Sequence, residues 1–239
     1  MALPVFYARP ELVGSTLNVV PAPASWDTAG SLGQVRSAAF TADVLAAIAP
    51  TMAVVPDPLA LRLDIGLPDT VPLLLHNDLD NYLFPLVPTL TKGTLRQFAS
   101  VWATKQHATT SSVAVCQTRP TPDPGGMYSL QVHTTASATT TTYKRQIHDQ
   151  ISTAPPLPDG GIALQLAFVI GPRRAWPNLW KATIDSLGPI LGRDPGAREW
   201  DTRDDRITNL GLHCTTDPSV GNQVTIAIRA CTTDTHTAP

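Results

Sequence analysis

Residues 59–65 read LALRLDI, and residues 162–168 read IALQLAF. Each has an apolar residue at every second position: Leu59, Leu61, Leu63 and Ile65 in the first, Ile162, Leu164, Leu166 and Phe168 in the second. A period of two places such side chains on one face of a pleated strand, so both stretches are expected as strands with a buried face. A stretch of helical period precedes each. In SAAFTADVLAAIAP (37–50), Phe40, Val44 and Ile48 recur four apart and Pro50 stops the run. In TTYKRQIHDQISTAPP (141–156), Tyr143, Ile147 and Ile151 recur in the same way before Pro155. One displacement of 103 positions carries helix onto helix and strand onto strand.

The likeness continues with a shorter displacement. DNYLFPLVPTL (80–90) matches PNLWKATIDSL (177–187), with Asn81 opposite Asn178 and Leu90 opposite Leu187. FASVWATKQHATT (98–110) matches DDRITNLGLHCTT (204–216), which sets His107 opposite His213. Each half closes on a β-rich segment, SSVAVCQT and VTIAIRACT. Between them the proline-rich 119–125 reads as a linker. The expected fold is α/β: two tandem units, 15–118 and 126–232, with mixed sheets and packed helices. They should face one another about a pseudo-two-fold axis, as a dimer fused into one chain.

Composition narrows the function. Of 239 residues, 43% are hydrophobic, enough for a packed core, and only 15% are charged. The net charge of −2 supplies no global field that would draw nucleic acid or anionic lipid, so such a partner needs a local basic patch. The uninterrupted apolar runs fall short of the roughly 20 residues that span a bilayer. The start, MALPVFYARPELVG, lacks a basic, then apolar, leader pattern. No membrane partner is expected. Cys116, Cys214 and Cys231 are odd in number and lie in strand-like segments, as buried free thiols of a reducing cytoplasm would.

The chemistry-bearing residues begin in HNDLDNYLFPLVPTL (76–90), where Asp78, Asp80 and Asn81 crowd the mouth of a helix. Asp and Asn cap helices well, and capping plus a solvated loop is one account of them. One cap needs one such residue, and three stand here. Asp204 and Asp205 lie in the mixed-charge run REWDTRDDR, where solvation is the plain alternative, and Lys181 follows Trp180 on an amphipathic helix, where a surface lysine is common. Trp176 and Trp180, four apart, suit a core or seam better than base stacking.

The order strand, helix, strand, an Asp-x-Asp-Asn loop opening a helix, and an Asp-Asp pair before a further strand resembles the RusA family of Holliday junction resolvases. That family's pattern runs D-L-D-N-x-x-K, then D-x-L, then D-D-x-x-[VI]. The resemblance implies a small homodimeric α/β endonuclease that cuts branched DNA with divalent metal held by aspartates. In this chain the pattern is divided. The first half keeps Asp78, Asp80 and Asn81 but has Phe84 for the lysine, with Phe98 and Ala99 opposite the acidic pair. The second has Ala175 and Pro177 for the loop aspartates but keeps Asn178, Lys181, Asp185 and Asp204–Asp205, with Arg173 and Arg174 just before.

The resemblance therefore implies metal ligands Asp78, Asp80, Asp204 and Asp205, with Mg²⁺ or Mn²⁺ as cofactor, and catalysis by Asp78, Asp80, Asp205 and Lys181. It implies contacts to branched or structured DNA from Arg173, Arg174, Lys181, Asn81 and Asn178. The chemistry is consistent: Mg²⁺ takes oxygen ligands, commonly one or two carboxylates plus waters and phosphate, and it activates water and neutralises in-line transition-state charge. Two outcomes follow. Either the partial sets meet in one composite site, or each has decayed and left a non-catalytic scaffold for nucleic-acid binding or protein assembly.

Overall fold

The two alternating stretches are both strands of one sheet in the computed structural model, which describes residues 2–25 and 27–233. The elements in chain order are β1 (Phe6–Tyr7), β2 (Ser15–Thr16), α1 (Leu32–Val54), β3 (Leu59–Leu67), α2 (Leu79–Thr94), β4 (Phe98–His107) and β5 (Ser112–Gln117). There follow β6 (Pro120–Thr121), β7 (Tyr128–Thr134), α3 (Thr141–Ile151), β8 (Gly161–Ile170), α4 (Pro177–Asp185), α5 (Gly188–Leu191), β9 (Ile207–Thr216) and β10 (Val224–Thr233). Eight strands form a mixed sheet in the order β2-β5-β3-β4-β9-β8-β10-β7, while β1 and β6 make a separate two-stranded ribbon. The chain is therefore α/β, as expected, but its two halves share one continuous sheet.

Read from either edge, the sheet presents an outer strand, the last strand of that half, the strand after the first helix, then the strand after the second. The registers repeat as well. β3 and β4 run parallel with a shift after Leu59, and β8 and β9 run parallel with a shift after Ile162. At the centre β4 and β9 are antiparallel, Ser100 opposite His213, Trp102 opposite Gly211 and Thr104 opposite Asn209. The two-fold relation of the strands thus passes through the Trp102–Gly211 pair.

These registers correct two pairings read from the sequence. Phe98 corresponds to Ile207 rather than to Asp204, because they pair with Leu59 and Ile162, the matching residues of the two alternating strands. His107 then corresponds to Thr216, and His213 to Thr104. The counterparts of Asp204 and Asp205 are Leu95 and Arg96 rather than Phe98 and Ala99. The two histidines differ accordingly. His107 is exposed, whereas His213 is fully buried between Ser100 and Gln165, at 3.1 and 3.2 Å. Burial pushes its pKa down to about 3, so it is a neutral core residue.

All four main helices pack together: α1 on β2 and β5, α2 on β4 and β9, α3 on β7, with contacts α1–α2, α2–α4 and α4–α3. Their apolar stripes are those of the sequence. Phe40, Val44 and Ile48 of α1, and Tyr143, Ile147 and Ile151 of α3, are all buried, and so are the alternate residues of β3 and β8. Full burial of each large side chain stabilises by about 1.5–3 kcal/mol. Trp176 and Trp180 are buried edge to face at 4.7 Å, as core aromatics. Among the described residues α1 is the one helix long and apolar enough to cross a membrane, a property of its whole length that no short apolar run reveals. Its Phe40, Val44, Ile48 and Met52 pack into the core.

The ribbon of β1 and β6 lies on the other side of the sheet, where Phe6 packs on Ala167 and Ala227. The proline-rich segment is thereby docked rather than loose: Pro120 and Thr121 pair with β1, and Asp123 forms an ion pair with Arg229. The three cysteines are free and partly buried, short of the full burial expected, and Cys214 packs against the edge of the core.

Candidate metal centre

Asp78 occupies the N-cap position of α2, yet its side chain makes no capping bond. Its carboxylate accepts instead from the amide Nδ2 of Asn81 at 2.8 Å. Capping therefore does not account for it. Asp80, in the first turn, is 3% exposed and accepts from the Lys181 ammonium at 3.3 Å. Lys181 projects from α4, which packs beside α2, and also reaches Asp185 one turn on at 3.6 Å and Asp204 at 3.8 Å. Asp204 opens the short 3-10 turn Asp204–Arg206 that feeds β9. One carboxylate oxygen from each of Asp78, Asp80 and Asp204 lies within 4.8 Å of the other two. Residues from both halves of the chain thus meet at one place.

Two lysines that the sequence did not single out complete the cluster. Lys105 of β4 is 3% exposed, and its ammonium donates to the carbonyls of Asn77, at 2.8 Å, and Asp205. It ties together the two segments that carry Asp78 and Asp204. The signal for it was in β4: Val101, Ala103 and Lys105 alternate on the face that the helices cover, and a lysine ending an apolar face needs a partner. Lys144 of α3 holds the second oxygen of Asp185.

Charge is unbalanced here. The four carboxylates of Asp78, Asp80, Asp185 and Asp204 face the ammonium groups of Lys105, Lys144 and Lys181, an excess of one negative charge when all are ionised. Burial, then the Asp80 charge, raises the pKa of Asp78; burial raises that of Asp80 against the pull of Lys181. Asp204 is pushed up to about 8 by burial and by Asp80 and Asp78. Burial works against the charge on Lys181, but Asp80, Asp185 and Asp204 outweigh it and hold its pKa above the ordinary value. Burial lowers Lys105 to about 8 despite Asp78 and Asp205.

An all-oxygen set with surplus negative charge suits a hard divalent cation, whose own charge reverses the cost of ionising crowded carboxylates. The buried Oδ1 of Asn81, beside Asp78, has no hydrogen-bond partner and is the kind of orphan that a bound water or ligand satisfies. The acidic triad can therefore hold a metal ion.

Not every residue singled out from the sequence arrives here. Asp205 is near enough for its charge to raise Asp78, but its carboxylate is outside the triad and its carbonyl is taken by Lys105. Arg174 spends its guanidinium on the carbonyls of Thr135 and Asn222, and Arg173 is exposed beside it. Asn178 repeats the first-turn bond of Asn81, donating its N–H to Ala175 as Asn81 does to Asp78, at 3.0 and 3.1 Å. These three residues lie at the counterpart of the acidic loop, not in the cluster. No protein-family model matches the chain, and no curated protein matches it significantly.

Proposed function

We propose that the chain is a divalent-metal-dependent endonuclease for branched or structured DNA, formed by two divergent RusA-like copies that share one working site. The observation that carries this reading is the meeting of Asp78 and Asp80 with Asp204 and Lys181, from opposite halves of the sequence, in a buried cluster short of positive charge. The repeated strand order and the matching register shifts support a doubled ancestor. Free thiols suit a reducing, cytoplasmic setting.

In this reading Asp78, Asp80 and Asp204 hold Mg²⁺ or Mn²⁺, with Asp205 beside them. The ion supplies an activated water and neutralises charge on the phosphate. Asn81 orients the Asp78 carboxylate through its amide. Lys105 fixes the Asn77 and Asp205 backbones, and so the spacing of the two acidic segments. Lys181, one-third exposed, is the cation placed to meet a substrate phosphate once a metal competes for its aspartates. Mg²⁺- or Mn²⁺-dependent nicking of a synthetic four-way junction tests this. Asp80→Asn and Asp204→Asn are expected to lose at least about 100-fold in rate, since each removes a ligand. Equal cleavage by the wild type and both variants removes the hydrolytic reading.

One observation favours a non-catalytic binding or assembly scaffold. The arginines are largely spent on structure: Arg96, Arg174, Arg193 and Arg206 all donate to backbone carbonyls, and Arg229 pairs with Asp123. Arg9, Arg62, Arg145 and Arg203 also face carboxylates, which leaves four of the 13 arginines without such a partner among the described residues to grip phosphates. A gel-shift series over salt separates the two, because a DNA-binding protein shows a steep salt slope and an assembly protein shows no shift at low salt.

A further inference from the structure

The two-fold relation of the strands generates a second position equivalent to the acidic cluster. There, Asp78 and Asp80 are replaced by Ala175 and Pro177, by the matching first-turn bonds of Asn81 and Asn178. From the same half, Lys105 is replaced by Cys214; from the other half, Asp204 and Asp205 are replaced by Leu95 and Arg96, as the strand registers require, and Lys181 by Phe84, as the helix match requires. Leu95, Arg96, Trp176 and Cys214 do come together, around a cavity of about 380 Å³ that Asp57 and Ala99 also line. Every aspartate and lysine of the cluster is replaced at this one place, which keeps only Asn178, Arg173 and Arg174 of the residues singled out from the sequence. Independent decay of two halves would have scattered the losses.

We infer that the chain cuts a single DNA strand per encounter, because a framework with room for two symmetry-related hydrolytic sites carries one and has its counterpart closed to metal. This inference rests on the hydrolytic reading above. The counterpart is closed by chemistry as well as by loss. Arg96 carries a fixed positive charge where an aspartate carbonyl segment would stand, and it holds the Met52 carbonyl and Asp57 at 2.7 Å, so the carboxylate lining the cavity is already paired. Burial pushes the Cys214 thiol up to about 12, which keeps it protonated and a poor ligand.

Each turnover then adds one water oxygen to phosphorus and breaks one P–O ester bond, with the water's proton passing to the departing sugar oxygen. The products are one phosphate monoester and one sugar hydroxyl, a nick. The unbroken strand needs a second encounter or a second enzyme.

The test uses the full chain and a supercoiled plasmid bearing an extruded cruciform, with plasmid in excess so that each meets at most one chain. Mn²⁺ binding is titrated in parallel. Open-circular product without linear product in the first turnover is expected. Mn²⁺ affinity should fall at least 10-fold in Asp80→Asn and stay within twofold in Arg96→Gln and in Cys214→Ala, the latter serving if the former fails to fold. Linear product appearing at the rate of open circle overturns the single-strand inference and leaves the hydrolytic reading standing. So does Mn²⁺ binding that survives Asp80→Asn but is lost in Arg96→Gln. No nick in any metal, with no Mn²⁺ bound, overturns both.

Discussion

At the scale of single residues, the acidic cluster makes stability depend on pH in an unusual direction. Asp204, about 8 in the folded chain against 3.8 as a free side chain, keeps a proton that the unfolded chain has released. The stability it lends is complete below 3.8 and is lost as pH rises through 8. His213 works the opposite way below its free value of 6.5, so the clean window is pH 6.5–8. In chelator, melting temperature should fall across that window by roughly 4–8 °C, about 2 kcal/mol, and Mg²⁺ should reverse the fall. Asp204→Asn should reduce the fall, leaving what Asp78 and Asp80 contribute in the same direction; a flat profile in the wild type would contradict the shift. Asp78, Asp80, Asp204 and Lys181 were legible in the sequence because a short pattern names them. Lys105 was not, because its role comes from carbonyls of Asn77 and Asp205, far from it in sequence.

At the scale of elements, the face patterns of α1, β3, α3 and β8 were legible because a single period sets each buried stripe. The register between β4 and β9 was not. Two histidines suggested an alignment, but the pairing of Phe98 with Leu59 and of Ile207 with Ile162 displaces it by three positions. The strands β1, β2 and β6, two residues each, are too short for any period to show. The centre of β4–β9 is sharply constrained. A Cβ on Gly211 would meet the Trp102 ring at 2.9 Å and the Gln165 Cγ at 3.0 Å. Gly211→Ala should therefore cost about 1–3 kcal/mol by overpacking. Adding Trp102→Ala should recover part of that cost as a coupling of 0.5 kcal/mol or more in a double-mutant cycle, read by urea unfolding; additive losses would deny the contact.

For the whole molecule, the repeated order of elements was legible, whereas the merging of both halves into one sheet was not, because pairing across β4–β9 leaves no local signature. That sheet predicts that the chain survives being cut. Co-expressed fragments 1–125 and 126–239 should co-purify one to one, held by the β4–β9 ladder, the α2–α4 contact and the β1–β6 ribbon being intact within the first fragment. Independent elution of the fragments would show that the seam is too weak to hold them. The pair at its centre adds a rule about partners. Two copies of the first fragment would press indole against indole, and two copies of the second would face glycine with glycine across a void. Each half is thereby a lock for the other's key, and the sheet cannot be built from two copies of either half alone.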